Sequence, residues 1–460
     1  MSPRGWGPWL GLLVLAGCEP GGPVGGPSTE PGVDQQLRQQ LAQWGVVPIG
    51  PMPAQSPAMV ELGQALFFDK ILSGSRDIAC ATCHDPLHHG TDGLSLAVGT
   101  GGTGLGPARK LGPGRQFVPR NAPTMLNQGL RPFYLLWDGR VSGFGAGPFT
   151  SPPDVLLPPG LSNILAAQAM LPVLNRREMR GDSGDVDVLG NPNELAQFAN
   201  SQYPEVWRAI MQRLLAFPEY AVKFGAAFPG TPASALGFQH AANAIAAFLM
   251  DRFSRYDSPF DQYLNRNDAA LSAEAKRGAL LFFGRLPCAQ CHNGPLLGAE
   301  GFANVGVPQL GPGVGKGAPL DLGRAEVVSQ QINPPSPSAH RFAFRPPPLR
   351  NVELTAPYMH DGAYPTLAAV VRHYNDVPTA LRTYDVTQLD PALRSLYHGE
   401  QATITDVLST LEWRLRTPLF LSDADRSDLV AFLKSLTDPA ARDLSGLIPA
   451  TVPSGLPVRE

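Results

Sequence analysis

The chain has 460 residues and a formal net charge of −3 at pH 7, which gives no reason to expect a nucleic-acid partner. Hydrophobic residues make up 43% of the sequence and charged residues 16%, so the chain can bury a sizeable core and is not expected to be disordered as a whole. Its 49 glycines and 48 prolines indicate long ordered loops between short helices.

The first residues have the features of an export signal. Arg4 supplies a positive charge, and residues 9–16 form an apolar run that is too short to cross a membrane as a helix. Residues 15–18 (Leu-Ala-Gly-Cys) are similar to a bacterial lipobox, which predicts a lipoprotein signal peptide over 1–18 and lipidation of Cys18. Ordinary signal cleavage with Cys18 as a stray thiol is the alternative. The expected location is the periplasm, with contact to a membrane only through the lipid anchor.

A Gly/Pro-rich segment follows at residues 19–33 and is typical of a flexible tether. A helix is predicted from Val33 to Trp44, so that residues 19–50 form a linker with one short N-terminal helix.

Two stretches of the chain share the same order of features. Residues 60–68 and 275–283 both have helical apolar spacing, contain one glycine and end in Leu-Phe-Phe. Each stretch is followed by Cys-x-x-Cys-His, at residues 80–84 and 288–292. We interpret this order as an internal duplication in which the glycine allows close packing of helices. Two unrelated amphipathic helices are the alternative.

Cys-x-x-Cys-His is the attachment signature of a c-type haem. Each thiol adds to a haem vinyl group, and the short loop places the next imidazole under the iron. The sequence therefore predicts two covalently bound haem c groups, because four of the five cysteines lie in the two motifs. The attachment residues are Cys80, Cys83 and His84 for the first haem, and Cys288, Cys291 and His292 for the second. Half of a zinc site is the alternative, but zinc needs another Cys/His pair.

Helices are also expected at the ends of the two repeats. Residues 233–256 have the pattern of a long amphipathic helix, and residues 258–261 then turn the chain into the second repeat. Ser422 and Asp425 form a capping box, which predicts that a helix with one apolar face begins there. The tail after Asp438 has little pattern.

Five blocks of the chain resemble the bacterial di-haem cytochrome c peroxidase family, which includes the MauG-type enzymes. The blocks are residues 66–69 before the first motif, 119–124 (PRNAPT), 137–140 (WDGR), the second motif, and 349–362 (LRNVELTAPYMHDG). The resemblance implies an all-α fold of two cytochrome c-like haem domains with a calcium ion between them. It also implies that the N-terminal haem is peroxidatic and that the C-terminal haem transfers electrons.

The expected domains are an N-terminal haem domain at 51–262, a C-terminal haem domain at 263–440 and a tail at 441–460, with long Gly/Pro-rich loops.

For the first haem, the resemblance makes His84 the ligand on one face of the iron. Members of the family that cap the other face use a histidine where this chain has Thr100, a poor iron ligand, so that face is expected to be open. His88 and His89 are rival ligands, although they lie too near His84 in the chain to reach over the ring easily. Their other interpretation is a solvated loop.

The resemblance also implies an acid–base pair, Gln168 and Glu178, at the family's spacing of ten. In the family, the matching glutamate moves a proton between the two oxygens of peroxide, and the matching glutamine hydrogen-bonds near the oxygen bound to iron. The alternative is that Glu178 is a surface carboxylate among neighbouring arginines. Trp137 stands where the family places an indole between the haems, and its alternative is a core tryptophan.

For the second haem, His292 is the proximal ligand and the residue on the far face is open to three interpretations. The resemblance to MauG-type enzymes favours Tyr374, while Met359 and His373 are the rivals. A phenolate would lower the iron potential relative to a thioether. The resemblance also implies that Asn121, Thr355 and Pro357 bind calcium, largely through carbonyl oxygens and water.

Three functions fit these residues. The first is reduction of hydrogen peroxide to water with electrons from a small cytochrome c or cupredoxin. The second is a MauG-like oxidation of residues on a partner protein. The third is a di-haem electron carrier, which would not need Glu178 and Gln168 and ranks last. Peroxidase is the interpretation that we adopt.

Overall fold

The computed structural model of the protein describes residues 32–131, 133–143, 147–152, 155–331 and 336–459. The predicted signal peptide and Cys18 lie outside these residues. The described part is mostly helical. Its α-helices are α1 (Val33–Gln43), α2 (Pro57–Phe68), α3 (Cys80–Cys83), α4 (Ile164–Ala169), α5 (Tyr203–Leu215), α6 (Pro218–Ala227), α7 (Phe238–Arg252), α8 (Pro259–Leu264), α9 (Ala273–Leu280), α10 (Arg324–Val328), α11 (Leu367–Asn375), α12 (Val377–Arg382), α13 (Gln401–Ser409) and α14 (Asp423–Ser435).

Strand structure is confined to one short antiparallel pair within the described residues. Strands β1 (Tyr134–Leu135) and β2 (Val141–Ser142) pair with Tyr134 opposite Ser142. Two single turns of π-helix occur at Arg176–Arg180 and Leu281–Arg285, and short 3₁₀ turns connect many of the other elements. The predicted all-α class is therefore confirmed to the extent that the described residues are mostly helical with little sheet.

The first hydrophobic core forms where α2 crosses α7. A Cβ atom on Gly63 would lie 1.9 Å from the backbone oxygen of Ala244, so only glycine permits this approach. The rings of Phe67, Phe68 and Phe248 pack around the crossing, with centroid separations of 5.4 to 6.2 Å. Cys80 and Cys83 pack against the same core, which places the first motif on it.

The second core repeats this arrangement with α9 and α14. A Cβ atom on Gly278 would lie 2.0 Å from the backbone oxygen of Asp428. Phe282, Phe283 and Phe432 surround this crossing with centroid separations of 5.0 to 5.5 Å. In both crossings the glycine faces a backbone oxygen and a phenylalanine four residues further along the partner helix. The predicted role of the two glycines in helix packing is confirmed.

Each end of the described chain packs on the core that is built from the other half of the sequence. Leu37 and Leu41 of α1 are buried in the second core. At the other end, Ala441, Leu444 and Val452 are buried in the first core. The tail shows little pattern in the sequence because it contacts the core through isolated residues of short 3₁₀ turns, not through one face of a regular helix.

Ion pairs and hydrogen bonds fix the tail at the first motif. The Arg459 guanidinium donates to both carboxylate oxygens of Asp85, at 2.7 and 3.1 Å, and Asp85 directly follows the motif. The Ser454 hydroxyl donates to Asp69 at 2.6 Å.

Most predicted helix boundaries agree with the structure. Helix α1 ends one residue before the predicted Trp44, and Ser422 caps α14 through its reciprocal bonds with Asp425. The helix predicted over 233–256 is shorter, because residues 233–235 form a 3₁₀ turn and α7 begins only after Gly237. No helix among the described residues is both long and apolar enough to cross a membrane.

Candidate haem sites

The first motif presents a histidine that is prepared for binding a metal. His84 follows α3 directly, and its Nδ1 lies 3.2 Å from the backbone oxygen of Gly90. Desolvation lowers the pKa of His84 to about 4, so the ring is neutral at physiological pH. A neutral imidazole that donates through Nδ1 leaves Nε2 free to act as a ligand.

The second motif presents the same arrangement. Nδ1 of His292 lies 3.1 Å from the backbone oxygen of Leu297, and desolvation lowers the pKa of this histidine as well. The four cysteines of the two motifs are free thiols in the structure, with no disulfide among the described residues. Burial raises the pKa of Cys80 and of Cys288 to about 12, which favours the uncharged sulfur that a thioether also provides.

A cavity beside the second motif has the character that a haem requires. Its walls are largely apolar and include Phe282, Leu286 and Leu429 together with Cys288, Cys291 and His292. Arg131 and Arg345 also line it. Nε and Nη1 of Arg131 and Nη1 of Arg345 are buried without a hydrogen-bond partner among the described residues. Buried guanidinium donors are normally paired, and the propionate groups of a haem carry the complementary charge. The residues present therefore fit this cofactor.

Glu178 lies at the first motif, on the π turn Arg176–Arg180. Such turns are rare and are frequent at functional sites. Asn175 caps the turn, and its side-chain amide donates to the Glu178 carboxylate at 3.0 Å. Desolvation raises the pKa of Glu178 to about 7, although the positive charge of Arg140 opposes the shift. Burial raises the pKa of Cys83, and the negative charges of Asp92 and Glu178 raise it further, so the Glu178 carboxyl group lies within electrostatic reach of the first haem attachment site.

Thr100 lies directly against the turn that carries Glu178. Its backbone N–H donates to the backbone oxygen of Glu178 at 2.8 Å. The Thr100 hydroxyl donates to Asp77 at 2.8 Å, so it is already paired within the protein. The adjacent Gly99 is required, because a Cβ atom there would lie 1.8 Å from the backbone oxygen of Arg177.

The other residues predicted near the first haem have varied surroundings. Gln168 is half-buried in α4, and its side-chain amide makes no hydrogen bond with the described residues, Glu178 included. Nδ1 of His88 pairs with Asp85 at 3.1 Å, and Nδ1 of His89 lies 3.0 Å from the backbone oxygen of Ala441. The two histidines are therefore held by the protein at this loop and are not simply solvated.

Trp137 and the three residues predicted to bind calcium line the same cavity as the second motif. The indole N–H of Trp137 donates to the backbone oxygen of Asn121 at 2.9 Å, and the Asn121 side-chain amide donates to Leu94 at 2.7 Å. The Thr355 hydroxyl donates to the backbone oxygen of Val352 at 3.2 Å. No cluster of three or more His, Cys, Asp or Glu residues suited to a metal ion occurs in the described chain. A cation here would depend on carbonyl and amide oxygens, which calcium accepts.

The structure distinguishes among the three residues considered for the far face of the second haem. Tyr374 and Met359 both line the cavity with His292. His373 is buried, with Nδ1 2.8 Å from the Tyr364 hydroxyl and Nε2 2.8 Å from the backbone oxygen of Val305. Both of its ring nitrogens are therefore occupied by protein groups.

A buried charge network beside Trp137 was not apparent from the sequence. The Arg120 guanidinium donates to Asp138 at 2.6 Å and to both oxygens of Asp321 at 2.6 and 2.8 Å. Arg140 also contacts Asp138. The available sequence signal was the PRNAPT block, which contains Arg120, and the WDGR block, which contains Asp138 and Arg140. Asp321 lies 201 residues from Arg120, and no sequence signal pointed to it.

Comparison with known proteins gives a consistent set of relatives. The sequence model of the di-haem cytochrome c peroxidase family matches residues 57–269. The methylamine utilization protein MauG of Methylorubrum extorquens is 30% identical over 393 residues, which cover 85% of this chain and 82% of that protein. The cytochrome c551 peroxidase of Pseudomonas aeruginosa is 33% identical over 304 residues, covering 66% of this chain and 67% of that enzyme.

Among solved structures, the diheme peroxidase BthA of Burkholderia thailandensis superposes with a TM-score of 0.56 and 22% identity, covering 90% of this chain and 96% of that one. A MauG-like protein associated with microbial copper homeostasis gives a TM-score of 0.56 and 24% identity, covering 87% and 95%. At these identities the two structures support the fold alone. The sequence relatives and the paired motifs lead to one conclusion: this chain belongs to the di-haem cytochrome c peroxidase family, the family of MauG.

Proposed function

We propose that the protein reduces hydrogen peroxide to water with electrons from a small periplasmic redox protein, a cytochrome c or a cupredoxin. The observation that carries the proposal is Glu178, a carboxyl group with a pKa of about 7 within electrostatic reach of the first motif. A general acid–base group works best when its pKa lies near the working pH, because it can then both accept and return a proton.

The residues divide the work between the two sites. His84 and His292 hold the two irons, and the haems supply the electron-transfer chemistry when they are bound. Glu178 takes a proton from one oxygen of peroxide and delivers it to the other, so that the second oxygen leaves as water. Gln168, whose amide is unpaired among the described residues, orients the peroxide. Trp137 lies on the cavity of the second motif and provides a π system between the sites.

The proposal also includes a bound calcium ion and a lipid anchor. One calcium ion binds near Asn121, Thr355 and Pro357, which line the cavity together with Trp137. The mature protein is a periplasmic lipoprotein attached through Cys18, the cysteine outside both motifs.

A second candidate is a MauG-like oxidation of residues on a partner protein. The observation that favours it is Tyr374, which lines the cavity with His292, because a phenolate ligand lowers the iron potential relative to a methionine. The two candidates use the same residues and differ in the source of the electrons.

Stopped-flow spectroscopy of the purified holoprotein tests the proposal. The oxidised protein is mixed with peroxide, with and without prior reduction, and then with reduced cytochrome c or cupredoxin. Catalytic oxidation of the small protein supports peroxidase function. A haem spectrum that changes with peroxide but is not restored by any small donor favours the second candidate, and haems that do not react with peroxide contradict both.

A further inference from the structure

Four tyrosines and one histidine form a continuous chain of rings that begins at the cavity of the second motif. Tyr374 lines this cavity, and its ring centroid lies 5.5 Å from that of His373. The ring of His373 lies 5.0 Å from Tyr364, and Tyr364 lies 5.7 Å from Tyr384. Tyr384 lies 5.2 Å from Tyr397. All four separations are those of aromatic rings in contact.

Packing alone does not require hydroxyl groups in such a cluster. Beneath both motifs the same kind of ring contact is made by phenylalanines, around Phe67 in the first core and Phe282 in the second. A buried hydroxyl is tolerated only where it finds a partner, so phenylalanine fills such a space with fewer requirements. Tyrosine differs from phenylalanine in its ability to lose one electron together with its hydroxyl proton. The use of tyrosine at four positions therefore points to electron transfer.

A hydrogen bond to His373 provides a place for the proton of Tyr364. Nε2 of His373 lies 2.8 Å from a backbone oxygen, that of Val305, so it carries the ring proton, and Nδ1 accepts a hydrogen bond from the Tyr364 hydroxyl at 2.8 Å. When Tyr364 loses an electron, its proton can move along this bond to Nδ1. The Tyr384 hydroxyl donates to the backbone oxygen of Ala363 at 2.6 Å, which holds its ring in place between its two neighbours.

The far end of the chain lies where the two halves of the sequence meet. Tyr397 is half-buried and belongs to a small cluster with Leu310, Leu96 and Phe117. Leu96 and Phe117 come from the loops after the first motif, whereas Leu310 follows the second. The chain thus connects the cavity at Tyr374 with a partly exposed ring.

We propose that this tyrosine chain carries oxidising equivalents, one at a time, from the cavity of the second haem to Tyr397. The proposal rests on the proposed function, because hydrogen peroxide is the oxidant. Oxidation of Tyr397, the half-buried end of the chain, passes one electron into the chain and one proton to solvent, and leaves a phenoxyl radical. Two such oxidations supply two electrons and two protons. With these, the O–O bond of one hydrogen peroxide is broken and two water molecules form. Tyr397 then presents a radical to a reductant that is too large to enter the cavity.

The test follows the radical and not only turnover. The oxidised holoprotein is mixed with hydrogen peroxide and a nitroso spin trap, without an electron donor, while the haem absorption is recorded. Trap adducts are then located by peptide mass spectrometry. The variants are Tyr384→Phe, which interrupts the chain, and Tyr397→Phe, which removes its end. Tyr256→Phe is the matched control, since Tyr256 is another half-buried tyrosine, and its hydroxyl accepts a bond from the Met52 N–H outside the chain.

We expect an adduct on Tyr397 in the wild type and in Tyr256→Phe, and loss of that adduct in Tyr384→Phe, in which the haems still react with peroxide. An adduct on Tyr397 that persists in Tyr384→Phe overturns the proposed route. A wild-type protein whose haems react but which forms no adduct on Tyr397 overturns the proposed end point. Haems that do not react with peroxide at all contradict the proposed function, and the route falls with it.

Discussion

Around His84 and around His292 the chain builds the same support from different residues. In each case a histidine Nδ1 faces a backbone oxygen, and a glycine on the preceding helix allows a second helix to cross at close range. The surroundings of the two histidines then differ. At the first, Glu178 contributes a carboxyl group with a raised pKa. At the second, Tyr374 and Met359 line the cavity, and the acidic residue that also lines it, Glu412, accepts a hydrogen bond from Arg414 at 2.6 Å.

This difference separates the features that the two sites share from the residues that distinguish them. The residues that hold the histidines lie in or beside the repeated helices, whereas the residues that distinguish the sites lie on separate elements. Glu178 belongs to a π turn that precedes α5, and Tyr374 lies in α11. Such elements can change without disturbing the helix crossings. The following predictions test this division, beginning with the largest expected effect.

Glu178→Gln should reduce peroxide turnover by at least about a hundredfold, because general acid–base help is worth about a hundred- to ten-thousand-fold in rate. Both haem spectra should remain nearly unchanged, since neither iron is bound by this residue. Steady-state kinetics with a small cytochrome donor measures the effect. Arg177→Gln is the control, because Arg177 is the exposed neighbour on the same turn. Near wild-type turnover in Glu178→Gln would identify Glu178 as a structural carboxylate.

The pH dependence of turnover gives a second test of the same residue. Desolvation raises the pKa of Glu178 to about 7, so its carboxyl group is mostly protonated below that pH and mostly ionised above it. The ionised form is the one that can accept the first proton from peroxide. We therefore expect turnover to rise as the pH increases through about 7, and this step should be missing in Glu178→Gln. A step retained in the variant would mean that another group titrates.

Tyr374→Met should change the second site and leave the first unchanged. Replacing a phenolate by a thioether raises the iron potential, and axial-ligand changes of this kind amount to on the order of 0.1 V or more. Spectroelectrochemistry measures both haems in one experiment. Met359→Leu is the control, because Met359 lines the same cavity. If Met359→Leu shifts the potential and Tyr374→Met does not, methionine is the ligand.

The sequence predicted the parts of this comparison that depend on local patterns. The two haem motifs, the cap of α14 at Ser422 and the packing glycines in the two repeats all follow from short spacings. The resemblance to the family identified Glu178 and Tyr374 as candidates, but the sequence did not indicate the π turn or the desolvation of the carboxyl group. These properties arise from neighbours that are distant along the chain.

Long-range pairs were the main omission. Asp321 binds Arg120 across 201 residues, and Arg459 binds Asp85 across 374. Nothing near Asp321 or Arg459 in the sequence marks its partner, because an ion pair requires only two complementary side chains and no periodic pattern. The chain of tyrosines was missed for the same reason, since its members are spread over residues 364–397 and meet only in the folded protein.

Gly63→Ala and Gly278→Ala test whether the two helix crossings are equivalent. The added Cβ atoms would lie 1.9 and 2.0 Å from backbone oxygens, so the helices must move apart in both cases. Each substitution should lower the free energy of unfolding by about 1–3 kcal/mol, as overpacking usually does. Thermal unfolding of the holoprotein measures the loss.

Gly225→Ala in α6 is the matched control for both substitutions. Nothing lies within 4 Å of a Cβ atom at that position, so alanine should raise the helix stability by about 0.5–1 kcal/mol. If only one of the two glycine variants loses unfolding free energy, the two helix crossings are less alike than their geometry indicates.

The smallest effect is expected at Thr100, the residue that is predicted to leave one face of the first haem open. Thr100→Val removes a hydroxyl that donates to Asp77 at 2.8 Å, and the loss of one such bond costs about 1 kcal/mol of unfolding free energy. The spectrum of the first haem should not change, and the oxidised protein should still react with peroxide without a lag. Thr103→Val is the control, because Thr103 is exposed in the same loop. A changed spin state of the first haem in Thr100→Val alone would place the threonine hydroxyl at the iron and contradict an open face.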